Sequence, residues 1–392
     1  MTGKPIIGEL RVQEVVLPSG RVTYTILYPD GTPHRLADGF LRTCNGGTDR
    51  AYAYLLIDHL RWLEFESLLP EAVTMPQLQR YMGAVGAEYA GPYGRPWRVG
   101  KRPYGQSSLE SAAACLKGFY LFQGSQGIHQ DLASEFSLTR LPTKEDKRRK
   151  FLGHVVQDMP ANPLRPPRTV RRRHPKMLAE GARKKLSADL QSARDRMIVT
   201  WLGDGGFRVG EMCGLHLVDL HLRSGADCGE CVTPHVHICH RELNSNRSRA
   251  KTKYPWVIEG GVVRGGQVRR ASPAMVHTYF EYLTTEYPTS ARHGMLLVQL
   301  KGPRTGDPLT ADGVRQMMGR AGRRLGLGRT NPHALRHEFA TAVLDASNGN
   351  TVIVRDAGGW ASAKTVEETY AHTNLHDPLF NAALEQVWGE HE

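Results

Sequence analysis

The stretch NPHALRH, residues 331–337, places two histidines and an arginine within five positions, directly after an Asn-Pro pair that can begin a helix. Spacings of three and four put His333, Arg336 and His337 on one helical face. That face lies near a helix N-terminus, where the dipole and free N–H groups also favour an anion. Arg208 follows the flexible GDGG turn and opens a helix, so its planar fork of donors can meet a phosphate or a carboxylate. Lys251, in AKTKYP, sits at a hairpin tip or strand start and can give a proton to a leaving oxygen; Lys253 competes for that role. Trp360, in AGGWAS, carries an indole N–H able to reach a phosphate oxygen. Taken singly, each is as readily a surface charge or a core ring. Tyr370, in VEETYAHTN, carries no signal of its own.

The elements that must position these residues follow from periodicity. Residues 1–45 read as a β-rich segment: LRVQEVVL and RVTYTILY flank a Pro-Ser-Gly turn and alternate as half-buried strands do. From about residue 48 the period becomes helical, with Tyr52, Leu55, Leu56, His59, Leu60 and Leu63 on one stripe and Leu109, Ala112, Ala113, Leu116 and Tyr120 on another. Residues 46–140 are therefore expected to be a small helical domain, in which the loop YAGPYGRPWRVGKRPYG, with four basic residues, is the candidate contact surface. A basic, proline-rich linker follows over 141–175, and a larger domain over 176–392. In that domain ARDRMIVTWL, FRVGEMCGLHL, 272–287, 310–325 and the segment carrying NPHALRH read as helices, while HVHICHREL and AKTKYPWVIEG read as two strands of a ribbon. The expected class is mainly α with a small β-ribbon, α+β.

Composition narrows the partner. A formal charge of +12 and a pI near 9.5 point to an acidic partner, nucleic acid before membrane. The charge is clustered. Arg171, Arg172 and Arg173 belong to a belt that starts at Arg148, and Arg315, Arg320, Arg323 and Arg324 form a second group on the 310–325 helix. No apolar run approaches the ~18 residues that span a bilayer. The first residues show no apolar segment of signal-peptide type, and six sparse cysteines suit reduced thiols, so a cytoplasmic, nucleoid-associated protein is expected.

Taken in order, FRVGEMCGLHLVDLHL, AKTKYPWVI, HALRHEFAT, and GGW ten residues before ETYAH resemble the tyrosine recombinase (phage integrase) family. The resemblance covers about 170–376, and the helical segment with its linker resembles that family's core-binding domain. It implies that Arg208 is the first catalytic arginine, Glu211 the acidic residue after it, Lys251 the ribbon lysine, and His333 and Arg336 the His-x-x-Arg pair. Trp360 would take the position held by His or Trp, Tyr370 would be the nucleophile, and His337 a supporting residue. Three features depart from the family pattern, the first being the N-terminal β-rich segment, which has no clear counterpart in it. The interval from Trp360 to Tyr370 is one residue longer, and the span from Arg208 to Lys251 carries an insertion around DCGECVTPHVHICH.

The chemistry so implied is cleavage of double-stranded DNA at recombination sites through a 3′-phosphotyrosyl link, for integration or excision of a mobile element. Fixed cations are its main requirement, because charge develops on the phosphate oxygens. A tyrosine is protonated at neutral pH and needs nearby positive charge and a base, for which His333 is the best candidate. No metal or ATP would be needed for catalysis, in keeping with the lack of a GxxxxGK[ST] loop. The insertion offers Cys228, Cys231, His235, His237 and Cys239, either as a structural zinc set or as a packed loop of reduced thiols and histidines. After Tyr370, Leu379, Phe380, Ala383, Leu384, Val387 and Trp388 form an apolar stripe. It packs on its own domain or, as the resemblance implies, docks on a neighbour to couple a tetramer on DNA, with host or element-encoded accessory proteins as further partners. The rival readings are a type IB topoisomerase-like relaxing enzyme and an inactive DNA-binding regulator of the same fold.

Overall fold

The alternation in RVQEVV and VTYTIL produces an antiparallel hairpin, β1 (Arg11–Val16) and β2 (Val22–Leu27), in register from Arg11↔Leu27 to Val16↔Val22. The structure is a computed structural model and describes residues 10–44, 47–86, 94–95, 97–143, 147, 157–167, 177–252, 254–328, 330–370, 382 and 385–386. The chain divides into two units, residues 1–170 and 171–392.

In the first unit a helix, α1 (Arg35–Thr43), begins inside the segment expected to be β-rich. It buries Ala37, Phe40 and Leu41, an i, i+3, i+4 triplet too short to stand out beside the strands. The hairpin and α1 share one core with α2 (Thr48–Phe65), α3 (Met75–Val85), α4 (Gln106–Ser125) and α5 (Gln130–Ser137). Residues 10–44 are thus part of the helical domain's core. Two-residue pairs β3 (Gly94–Arg95) with β4 (Arg98–Val99), and β5 (Thr139–Arg140) with β6 (Met159–Pro160), close loops of this unit. Residues 161–164 of the proline-rich linker are docked: Leu164 is buried, and Asn162 Nδ2 and Lys117 Nζ donate to Ala113 O and Ala161 O at 2.9 and 2.5 Å. One of the four basic residues in the aromatic loop, Arg98, turns inward. Buried Asp58 takes Arg98 Nε at 2.7 Å, Nζ of the still exposed Lys101 at 2.5 Å and the Tyr104 hydroxyl at 2.9 Å, which removes Arg98 from the expected contact surface and pairs Lys101.

The second unit runs α6 (Ala182–Asp189), α7 (Ala193–Asp204), α8 (Val209–Cys213), β7 (Leu220–His221), β8 (His235–Ile238), β9 (Trp256–Glu259), β10 (Val262–Gly265), β11 (Gln267–Arg270) and α9 (Pro273–Thr285). It then continues with α10 (Ala311–Arg324), α11 (Pro332–Ala346), α12 (Thr351–Gly358) and α13 (Ala363–Tyr370). Its core gathers Met197, Ile198, Trp201, Phe207, Tyr282 and Leu335, and the Trp201 indole N–H donates to Met275 O at 2.9 Å, tying α7 to α9. The two strands expected to form one ribbon do not pair with each other. β8 lies between β11 and β7, and β9 pairs with β10 across Gly260-Gly261, whose φ values of +58° and +81° suit a two-residue hairpin turn. The fold is α+β, mainly helical, as expected. Among the described residues no helix is long and apolar enough to cross a membrane.

Candidate active site

The site is built on the GDGG turn. Gly206 adopts φ +58°, and a Cβ there would stand 2.3 Å from the Phe339 ring of α11, so the turn presses against the helix that carries His333 and Arg336. Its carbonyl accepts hydrogen bonds from Arg336 Nη1 and, at 3.3 Å, from Arg269 Nη1. Arg208 then caps α8. The Glu211 carboxylate, three residues on, accepts the Arg208 backbone N–H at 2.9 Å and its Nη1 at 2.6 Å. The same carboxylate takes Arg269 Nη2 at 3.0 Å and stands 4.0 Å from Arg336 Nη1.

Three guanidinium groups therefore surround one buried carboxylate, an excess of two positive charges. Burial pushes the Glu211 carboxyl up, but Arg269, Arg208 and Arg336 outweigh it and hold the group below the ordinary carboxylate range. Burial, then Arg269 and Arg208, push the Arg336 guanidinium down to about 9. Arg336 Nη2 is buried with no hydrogen-bond partner among the described residues. A cationic donor left unpaired inside a protein is costly, and an anion's oxygen would satisfy it.

α11 places the rest. Asn331 caps it, its Oδ1 accepting the N–H groups of His333 and Ala334 at 3.0 and 3.1 Å, with Pro332 at the first helical position. The expectation that free N–H groups at this terminus would meet an anion is thereby corrected: the cap consumes two of them, and the side chains are left to do that work. His333 stands at the rim, its ring 4.3 Å from that of His337 and edge-on. Desolvation, then Arg336 and Arg208, hold His333 below the ordinary imidazole range.

Tyr370 ends α13. Its hydroxyl lies 2.7 Å from His337 Nδ1, so His337 rather than His333 is the histidine on the phenol. Burial, then His333 and Arg336, push His337 down to about 4. Burial lifts Tyr370 to about 12 against the lowering fields of Arg336 and Arg208. At neutral pH the pair is a neutral imidazole hydrogen-bonded to a phenol that is not ionised. Trp360 lies between: its ring packs under the Arg336 guanidinium, 3.9 Å from centroid to Cζ, and meets Tyr370 edge-to-face at 5.7 Å. Its role here is to hold Arg336 by its ring face.

The other expected residues divide. Lys251 is exposed in the loop before β9, and no hydrogen bond or ion pair among the described residues ties it to the arginines. The preceding residues are anchored, because Ala250 O accepts from His240 Nδ1 at 2.6 Å and Arg249 O lies 3.2 Å from where a Gly210 Cβ would stand. Lys253, Arg171, Arg172, Arg173 and the tail stripe lie outside the described residues. On α10, Arg324 is paired with Asp189 and Arg315 with Asp312, while Arg323 is exposed without such a partner among the described residues. Arg269 was not singled out from the sequence. A basic residue in QVRR reads as strand surface, and the only signal is that it alternates with Gln267, which it also bonds at 3.1 Å. In the insertion, Cys228, His235 and His237 converge with His221, another residue not singled out. Cys231 instead bonds Thr233 Oγ1 at 3.3 Å, and Cys239, past the end of β8, has its thiol beside Asp219 and Arg241 and pushed up to about 12, chiefly by burial.

A model of the phage integrase family matches residues 262–376, which include His333, Arg336, His337, Trp360 and Tyr370. Transposase A from transposon Tn554 of Staphylococcus aureus is 27% identical over 195 residues, 49% of this chain and 48% of that protein. The chain therefore spans about half the length of that relative. Tyrosine recombinase XerA of Pyrococcus horikoshii is 24% identical over 288 residues, 74% of this chain and 82% of that protein. Among solved structures, the Tn1549 transposon integrase (aa 82–397) in complex with circular intermediate DNA is similar in fold, with a TM-score of 0.53 at 16% identity, covering 90% of this chain and 98% of that one. Residues 262–376 thus match the phage integrase family, and the chain as a whole is similar to tyrosine recombinases and transposon integrases.

Proposed function

We propose that the chain is a site-specific DNA recombinase that cleaves and rejoins double-stranded DNA through Tyr370, in the integration or excision of a mobile genetic element. The observation that carries this reading is the unpaired, buried Nη2 of Arg336 beside a phenol already hydrogen-bonded to a neutral histidine. A scissile phosphate entering there would be held by Arg208 and Arg336, with His333 at the rim as a further donor. Tyr370 Oη attacks phosphorus, its proton passing to His337 Nδ1, and the 5′ oxygen leaves with a proton from Lys251. The product is a 3′-phosphotyrosyl link, which conserves the bond for rejoining. The relatives named for transposons, Transposase A of Tn554 and the Tn1549 integrase, favour a mobile element.

In this reading catalysis needs no added metal or nucleotide, the working form is a tetramer joined through residues after Tyr370, and the protein acts at the nucleoid. The test is a set of nicked duplexes spanning the DNA on both sides of the coding sequence, incubated without magnesium and run in denaturant. A covalent adduct is expected with the wild-type chain and none with Tyr370→Phe. An adduct that persists in the phenylalanine variant refutes Tyr370 as the nucleophile. Cleavage by Lys251→Ala against Lys253→Ala assigns the acid, and equal, mild losses remove both lysines from that role.

A further inference from the structure

Two buried histidines of β8 face each other in a way that neutral imidazoles do not tolerate by themselves. His235 Nδ1 lies 2.7 Å from Thr233 O, and His237 Nδ1 lies 2.7 Å from Gly265 O. A carbonyl only accepts, so both Nδ1 atoms carry the ring proton, and both Nε2 atoms are left as bare acceptors. Those two acceptors are 3.2 Å apart, and Cys228 Sγ is 3.1 Å from His235 Nε2. One thiol proton can satisfy one of them. The fourth member is His221 of β7, paired across the strands with His235, its ring 5.0 and 4.6 Å from those of His235 and His237. Its Nδ1 is buried without a hydrogen-bond partner among the described residues.

We propose that His221, Cys228, His235 and His237 form a structural zinc site that clamps the 222–234 connection between β7 and β8 to the β7–β8–β11 sheet. One ligand atom from each of the four lies within 4.8 Å of every other. Zinc with bonds of ~2.0–2.1 Å to nitrogen and ~2.3 Å to sulfur makes a tetrahedron with edges of roughly 3.3–3.6 Å, and the closer pairs, at 3.1 and 3.2 Å, need only open by a few tenths of an ångström to reach it. Binding displaces one proton, from the Cys228 thiol to solvent, and three neutral imidazoles complete the shell. The backbone carbonyls on both Nδ1 atoms are the outer partners that fix tautomer and ring orientation in such sites. The connection supplies one more hold, since Glu230 accepts the Gly265 N–H while Gly265 O accepts from His237. All four positions are filled by protein, which makes the site structural and not catalytic. It also braces the arginine cluster: Val236, between the two histidines, pairs with Arg269 of β11. This assignment does not depend on the recombinase reading.

The test uses the full chain without a histidine tag, loaded with equimolar zinc or cobalt(II) and freed of excess. One zinc per chain is expected by elemental analysis. The cobalt form should show the intense visible bands of four-coordination and a near-ultraviolet thiolate charge-transfer band. Cys228→Ser should lose the charge-transfer band and His221→Ala the four-coordinate intensity. Cys231→Ser and Cys239→Ser should keep both. Wild-type chain that retains no metal overturns the proposal, as does loss of the charge-transfer band in Cys231→Ser or Cys239→Ser with its survival in Cys228→Ser. The wild-type cobalt spectrum decides the coordination even where a variant fails to fold.

Discussion

Glu211→Gln removes the one carboxylate that holds three arginines. The group is buried and takes Arg208 at 2.6 Å and Arg269 at 3.0 Å, with Arg336 at 4.0 Å. The side chains of Arg269 and Arg336 are each only 1% exposed, so neutralising Glu211 strands buried charge. Removing one partner from a buried pair costs roughly 3–5 kcal/mol. The amide keeps an oxygen for the Arg208 backbone N–H, which places the expectation near the lower end, about 3 kcal/mol. For a unit the size of residues 171–392, each kcal/mol moves Tm by roughly 2–4 °C, so its transition should fall by roughly 6–12 °C. Differential scanning calorimetry reads this, with the transition of residues 1–170 as the internal reference. Arg269→Met added to Glu211→Gln removes one stranded charge, so the double variant should be more stable than the sum of the singles by ~1–3 kcal/mol. A single variant within about 2 °C of wild type, the shift expected for less than roughly one kcal/mol, or strictly additive losses would refute the reasoning.

Three further outcomes are expected. Asn331→Ala should cost about 1 kcal/mol, because it frees the His333 and Ala334 amides, and should slow adduct formation by tilting the helix that carries Arg336; urea melts and adduct rates check both. His337→Ala should slow adduct formation by ~10²-fold or more, and more than His333→Ala, since His337 is the histidine on the Tyr370 hydroxyl; the reverse order returns the base to His333. Burial pushes His59, bonded to Tyr120 at 2.7 Å, down to about 3. The folded state thus holds a neutral ring whose unfolded counterpart takes a proton below about pH 6.5, so this stability is complete above that pH and lost as pH falls towards 3. By pH 4 the loss is about 3 kcal/mol. His59→Gln should flatten the pH dependence of the Tm of residues 1–170, and an unchanged slope would count against a neutral buried ring.

The sequence by itself determined which side chains share a face and most of the helices. His333, Arg336 and His337 share a face by spacing alone, Asn331-Pro332 is a helix start with a local physical cause, and the stripes of α2 and α4 became core. These are properties of neighbours in the chain, set by hydrogen-bond geometry within one or two turns. Only the tertiary structure decided what meets across the fold. Arg269 became a partner of Glu211, 58 residues away in sequence, because β11 lies beside β8 and the GDGG turn. His337 and not His333 reached Tyr370 because α13 returns over α11, 33 residues on. His221 joined Cys228, His235 and His237, while Cys231 and Cys239 left the set, because strand register and not cysteine spacing decides which side chains converge. Arg98 was turned inward and Lys101 was paired, both on Asp58, in the same way. Residue type states what a side chain can do; long-range pairing and burial decide for which neighbour it does so.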